Sequence, residues 1–352
     1  AMRAGVRPED RIVAVDGEPT LGWSLNRAVD KITGRAGEAV ALTVRRADES
    51  AENGERLITF SLERQPIKLR SVHGWWKDSL DRDGNPVWRW YIDPDAGIGY
   101  VRLTSFTEES IADFNAALRQ MESQGGPLRG LILDLRSNPG GLLQSAVEFV
   151  NMFVERGEIV SCQDRLGQKV PRMTRSAQPH RAVRKGLPLV VLINEGPASA
   201  SEIVAGSLRA HGAAVVVGQR TFGKGSVQEV ASVSVPGADA QVKYTTHHYV
   251  LPGDGGMGPG RLVHKKPGAT DWGVDPHLQV RMSPDQIERS TRLRNEADSI
   301  DDQPVAGAAK DRPDVNDLLT KGYDPQLETA VLVLGARVLR DLEEARIAKG
   351  TP

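Results

Sequence analysis

Over the first 65 residues, apolar and polar positions alternate in short runs. Ala4-Gly-Val-Arg-Pro-Glu-Asp10 carries the Gly and Pro punctuation of a turn. Arg11-Ile-Val-Ala-Val15 alternates and ends at Asp16-Gly17, a strand entering a tight turn. Leu25, Ala28, Val29 and Ile32 share one face of a short helix, with Ser24 placed to cap it. Val40–Val44 and Leu57–Leu62 read as strands on either side of a polar loop, Arg45–Arg56. Next comes an aromatic stretch in which Trp75, Trp76, Trp88, Trp90 and Tyr91 flank Asp81-Arg-Asp-Gly-Asn-Pro86, a hairpin tip. It reads as a packing cluster between domains rather than the lining of a substrate groove.

From residue 97 the period changes. Ile98–Leu103 is a strand, and Ser110–Met121 is an amphipathic helix carrying Ile111, Phe114, Leu118 and Met121. Leu128–Leu135 is almost continuously apolar, as a strand buried on both faces of a parallel sheet must be. Ser137-Asn-Pro-Gly-Gly141 then turns the chain into a helix, Leu142–Val154. A second apolar strand, Leu187–Ile193, leads through Asn194-Glu-Gly-Pro197 into a helix of small residues, Ala198–Ala210, and a third, Ala214–Gly218, follows. Repeated strand, turn and helix indicate an α/β core. Residues 286–312 are polar and irregular and read as a linker, whereas Gln326–Ala348 places Leu327, Val331, Leu334, Val338 and Leu342 at helical spacing. The predicted division is a β-rich unit at 1–65, a core region at 66–285 (aromatic segment 71–96, catalytic core 97–280), and a linker with a C-terminal helix at 286–352.

Composition adds exclusions. The chain has 352 residues, 39% hydrophobic and 26% charged, with a net charge of −1, so nothing points to nucleic acid as a partner. Cys162 is the single cysteine; it can form no internal disulfide, and no Cys/His spacing resembles a zinc site. No basic cluster surrounds it, so it reads as structural. His247 and His248 are neighbours on a strand and point to opposite faces, which argues against a shared metal. No metal or other cofactor is expected. No apolar run approaches the roughly 18 residues of a membrane span, and no signal peptide stands at the start. The chain reads as beginning inside a domain.

The candidate chemistry lies in two segments. Ser199 follows a buried strand through a Gly-Pro turn and opens a helix, where unpaired backbone N–H groups can stabilise an oxyanion. The competing reading is an ordinary helix cap. A serine nucleophile needs a base, and no His–Asp pair stands near a matching turn. Lys224 sits between Gly223 and Gly225, so its backbone can pack closely against another segment. A lysine must be neutral to accept a proton, and burial can supply the roughly 4 kcal/mol needed to move an amine from about 10.4 to about 7–8. Gln228, four residues on, is a neutral group able to orient the lysine. Gly218-Gln-Arg-Thr-Phe-Gly-Lys224 also fits the first seven positions of a phosphate-binding loop. The eighth, which should be Ser or Thr, is Gly225, and Ser226–Val235 alternates like a strand where a helix is required.

At this point the residues resemble the carboxyl-terminal processing peptidases of family S41. Four blocks carry the likeness: Ala4–Gly17, which resembles the second half of a PDZ domain; Gly99–Phe106; Leu131–Leu142; and Ala198-Ser-Ala-Ser-Glu-Ile203 paired with Thr221-Phe-Gly-Lys-Gly-Ser-Val-Gln228. Tyr249-Val-Leu-Pro252, His264 and Trp272–Pro276 look like the family's closing strands, and the likeness covers about residues 1–280. The resemblance implies a crotonase/ClpP-like α/β protease core with an N-terminal partial PDZ domain and a C-terminal helical tail. It implies a serine endopeptidase in which Ser199, rather than Ser201, attacks, Lys224 is the base and Gln228 positions it. Ala200 and either Gly140 or Gly141 supply the oxyanion N–H groups. The implied substrates are proteins or peptides with apolar C-termini, in the periplasm or cell envelope, and a homo-oligomer or an adaptor protein is compatible with this picture.

Overall fold

The computed structural model describes residues 4–7, 10–48, 50–51, 53–66, 70–124, 126–235, 238–256, 259–299 and 313–348. The chain divides into two compact units, Ala1–Leu69 with Lys77–Asn85 and Arg292–Arg312, and Arg70–Trp76 with Pro86–Thr291 and Pro313–Pro352.

In the first unit, β1 (Arg11–Val15), β2 (Glu18–Pro19), β3 (Ala39–Ala47) and β4 (Glu55–Glu63) form an antiparallel sheet in the order β2-β1-β3-β4. The β1–β2 turn has Asp16 at φ 49° and Gly17 at φ 80°, the left-handed pair that an Asp-Gly hairpin requires. Ser24 caps α1 (Leu25–Ile32) by accepting a hydrogen bond from the Arg27 N–H at 3.2 Å, as the spacing predicts. The helix and its apolar face stand as the spacing predicts, but that face is little covered. Only Ile32 packs against the Val15, Val40 and Leu42 core; Leu25 is 79% exposed and no α1 residue is buried. Periodicity marks the face that prefers burial, not what is available to cover it. Two short strands, β6 (Trp76–Leu80) and β7 (Pro86–Arg89), lead into and out of the predicted tip. There the Asp81 carboxylate accepts from the N–H groups of Asp83 and Asn85.

The main sheet of the second unit has the order β18-β14-β13-β10-β9-β5, with β8 also paired to β9. Its parallel strands are β9 (Ile98–Leu103), β10 (Gly130–Asp134), β13 (Leu189–Ile193), β14 (Val215–Gly218) and β18 (Leu278–Gln279). The antiparallel additions are β5 (Val72–His73) and β8 (Tyr91–Asp93). On one face Leu131, Leu133, Leu189, Val191 and Val216 join the core made with α2 (Ser110–Gln124), α3 (Leu143–Asn151) and α4 (Ala200–Ala210). On the other, Ile132, Val190, Leu192 and Val217 are equally buried, and Gly130 abuts Leu334 and Val338 of α7 (Pro325–Ala348). Burial on both faces is why these strands read as unbroken apolar runs. A second, antiparallel sheet has β11 (Glu158–Gln163), β12 (Arg175–Ser176), β15 (Ser226–Val235), β16 (Ala238–Leu251) and β17 (Arg261–Leu262).

Trp75, Trp76, Trp88 and Trp90 are all buried, with Trp75 edge-on to Tyr100 at 5.6 Å, so the aromatic segment packs and lines no groove. The predicted polar linker is partly a helix, α5 (Pro284–Asp298), followed after the undescribed residues by α6 (Val315–Lys321). Its start was legible: Ser283 Oγ accepts from the Gln286 N–H and Gln286 Oε1 accepts from the Ser283 N–H, a reciprocal cap with Pro284 at the first helical position. Mean polarity hid it. Residues 300–312 lie outside the described residues. In α7 the predicted positions Leu327, Val331, Leu334 and Val338 are buried, while Leu342 is exposed. Among the described residues no helix is long and apolar enough to cross a membrane, and no cluster of three His, Cys, Asp or Glu could hold a metal ion.

Cys162 is buried on β11, and desolvation pushes its thiol up to about 11. A disulfide reagent applied at about pH 8 is expected to leave the native protein unmodified and to titrate its one thiol after unfolding in guanidinium. Rapid native labelling would contradict the burial.

Candidate active site

Ser199 stands where β13 has ended, at the carboxyl edge of the parallel sheet, immediately before α4. Its backbone is at φ 56°, ψ −117°. Only Asp16 and Ser137 share a positive φ among the described non-glycine residues. Such a conformation costs on the order of 1–3 kcal/mol and persists only where neighbours enforce it. Here they do. Ser199 N–H donates to Glu202 Oε2 at 3.0 Å, and the Asn138 carbonyl accepts from Ala198 N–H at 3.2 Å and Ser201 Oγ at 3.0 Å. Ser201 is thereby buried and engaged, which leaves Ser199 as the serine of the elbow.

Glu202 is the residue that the sequence did not single out. It is fully buried and its carboxylate is saturated. Oε1 accepts from Thr221 Oγ1 at 2.5 Å and Gly223 N–H at 2.7 Å, and Oε2 accepts from Ser199 N–H and from Lys224 N–H at 2.8 Å. One oxygen therefore binds the backbone of both candidate residues. Burial raises the proton affinity of Glu202, while its four donors pull the other way. The available signal was a Glu three residues after a helix-opening serine. Nothing in the sequence showed that the same carboxylate would reach Gly223 and Lys224.

Lys224 is half-buried, and the glycines beside it are required. A Cβ on Gly223, at φ 88°, would lie 2.6 Å from Trp272, and one on Gly225 would lie 2.5 Å from the His264 backbone nitrogen. The Ser199 and Lys224 segments are brought together through Glu202, but no hydrogen bond joins Ser199 Oγ to Lys224 Nζ in this conformation. Gln228 lies exposed on β15, paired with Thr245 just beyond a bulge, and makes no hydrogen bond to Lys224. The hydroxyl of buried Tyr249, on β16, approaches the Ser199 side chain instead. Ser226–Val235 is the strand β15, so the phosphate-loop reading fails for want of a helix.

The Asn138–Gly141 turn packs against the elbow: a Cβ on Gly140 would lie 3.0 Å from both Ser199 Cβ and Ala200 N. Gly140 N–H is already taken by Asn138 Oδ1 at 2.9 Å, and Asn138 is itself anchored to the Leu103 carbonyl at 2.7 Å. Among the described residues no protein acceptor takes the N–H of Gly141 or Ala200. Of the two glycines, Gly141 is thus the one with a free donor. Two exposed apolar side chains border these turns, Leu142 beside Gly141 and Phe222 beside Gly223. The Phe222 N–H is held by the Pro197 carbonyl at 3.1 Å.

A parallel sheet buried on both faces, with a strained serine elbow at its carboxyl edge, defines the class as an α/β core with a candidate nucleophile at the end of its strands. The chain belongs to peptidase family S41: the family model matches residues 97–279, and a PDZ-domain model matches residues 1–46. It is 36% identical over 254 residues to the carboxy-terminal-processing protease of Bartonella bacilliformis, covering 72% of this chain and 52% of that one. It is 31% identical over 282 residues to the carboxy-terminal processing protease CtpB of Bacillus subtilis, covering 80% and 50%. A solved structure of a photosystem II D1 C-terminal processing protease aligns at TM-score 0.45 and 30% identity, covering 79% of this chain and 64% of that one. The chain spans about half the length of the curated relatives it matches.

Replacing Glu202 by Gln presents an NH₂ group to backbone N–H donors on one side. Glu202→Gln is expected to lower stability by about 1–3 kcal/mol in urea unfolding. An unchanged unfolding midpoint would show that the carboxylate does not join these segments.

Proposed function

We propose that this chain is a serine endopeptidase that cleaves proteins near their C-termini, with Ser199 as nucleophile and Lys224 as general base. The observation that carries the reading is the shared Glu202 oxygen, which fixes the backbone of the elbow and of the lysine loop to one point. The Ser199–Lys224 hydrogen bond would close on substrate entry or on a rotamer change of the lysine, since catalytic contacts are often long in unliganded enzymes. Neutral Lys224 takes the Ser199 proton as Oγ attacks the peptide carbonyl. The N–H groups of Gly141 and Ala200 hold the oxyanion. Lys224 protonates the leaving amine, and water then hydrolyses the acyl-enzyme with the same lysine as base. Gln228, four residues beyond Lys224, would orient the lysine.

Exposed Leu142 and Phe222 support a preference for apolar residues at the cleaved end. The names of the relatives support C-terminal processing as the reaction. We place the protein in the periplasm or cell envelope by the same likeness, with a homo-oligomer or an adaptor as candidate partners.

Cleavage of casein or of a peptide with an apolar C-terminus is expected to fall at least about 10³-fold in Ser199→Ala and in Lys224→Ala. Lys224→Arg should be equally inactive, because arginine keeps its proton. Undiminished cleavage in any of the three sinks the dyad. Peptide binding without turnover by the wild type would favour a non-catalytic binding protein on this fold.

A further inference from the structure

The family model ends at residue 279, yet the start of α7 reaches the end of the sheet from which both site turns emerge. Arg136 follows β10 and immediately precedes the Ser137–Gly141 turn. Its guanidinium is held on two sides. Nη2 donates to Asp134 Oδ2 at 2.7 Å and Nε to Asp134 Oδ1 at 3.0 Å, while Nη1 donates to Asp324 Oδ1 at 2.9 Å and to Gln326 Oε1 at 3.3 Å. Asp134, Asp324 and Gln326 are each at most 1% exposed, and the Arg136 side chain is 11% exposed. Tyr100 adds a hydrogen bond to Asp134 Oδ2 at 2.7 Å. Buried charges in such a cluster are tolerated only with near-complete pairing, so small displacements are resisted.

Gln326 links a second segment. Its Nε2 donates to the Val280 carbonyl at 3.0 Å and to Gln219 Oε1 at 3.4 Å. Gln219, whose own N–H is bonded to the Ile193 carbonyl at 3.0 Å, opens the stretch that ends in Lys224. Two side chains on one helix start therefore touch the residue leading into the oxyanion turn and the residue leading into the lysine loop.

We propose that Asp324 and Gln326 are positioning residues for the site: through Arg136 and Gln219 they hold the Ser137–Gly141 turn and the Lys224 loop at a fixed separation. Neither touches substrate. The catalytic part of this inference rests on the peptidase reading given above; the positional part does not. Asp324 also caps α7, accepting from the Leu327 N–H at 3.1 Å. Asparagine caps a helix about as well as aspartate but cannot neutralise Arg136, so Asp324→Asn separates the two roles.

The test compares wild type, Asp324→Asn and Gln326→Leu by hydrogen exchange and by peptide cleavage, with Ser199→Ala alongside. Faster exchange is expected in residues 136–142 and 219–225, with the amides of β9, β10 and β13 still protected. In the active enzyme kcat should fall about 10- to 100-fold, with KM changing less than about 3-fold, the pattern of a displaced rather than a missing group. Exchange in both turns equal to wild type, or faster exchange confined to α7, assigns Asp324 to capping alone and overturns the proposal, as does an unchanged kcat. If wild type cleaves no better than Ser199→Ala, the dyad reading fails, and the exchange result alone decides the positional claim. Gln326→Leu leaves the ion pair intact and serves if Asp324→Asn does not fold.

Discussion

A carboxylate withdrawn from water is stable only if its lone pairs are filled, and the site is organised around one such group. Glu202 receives donors from Ser199, Thr221, Gly223 and Lys224, so the helix start and the 221–224 loop cannot move independently without leaving a buried acceptor unpaired. Thr221 extends the constraint. Its hydroxyl donates to Glu202 and accepts from the Val274 N–H at 2.8 Å, which ties in the closing segment as well. The strained φ of Ser199 is held within this arrangement rather than by its own preference.

The scaffold explains why the carboxylate can be buried there. Parallel strands covered on both faces end together, and the turns leaving them converge on one edge. The Asn138–Gly141 turn and the Ser199 elbow come from the adjacent strands β10 and β13, which is why Gly140 can lie against Ser199 with no room for a Cβ. The lysine loop follows β14, the next strand. Three neighbouring strands thus deliver three site elements, and the start of α7 braces two of them through Arg136 and Gln219.

Where sequence reading and structure differ, the cause is what local pattern can encode. The apolar stripe of α1 is a real stripe, yet Leu25 and Val29 remain exposed, because pattern gives a preference and not a covering surface. The helix α5 was missed because its polar composition outweighed a Ser-Pro-x-Gln start that does specify a helix. Which of Gly140 and Gly141 keeps an unbonded N–H could not be read at all. It turns on the Asn138 side chain folding back two residues to occupy one of the N–H groups.

The sequence by itself determined the α/β core, the order of its strands and helices, and the two segments that hold Ser199 and Lys224. Those follow from periodicity, from apolar runs and from glycine placement, all of which are local. Tertiary structure alone decided that Glu202 joins the two segments, that Gln228 lies exposed with no hydrogen bond to Lys224 while Tyr249 approaches Ser199, and that a helix more than 100 residues further on reaches both turns. Each of these depends on which buried polar atoms find one another after the sheet has formed, and that pairing has no signature in spacing along the chain.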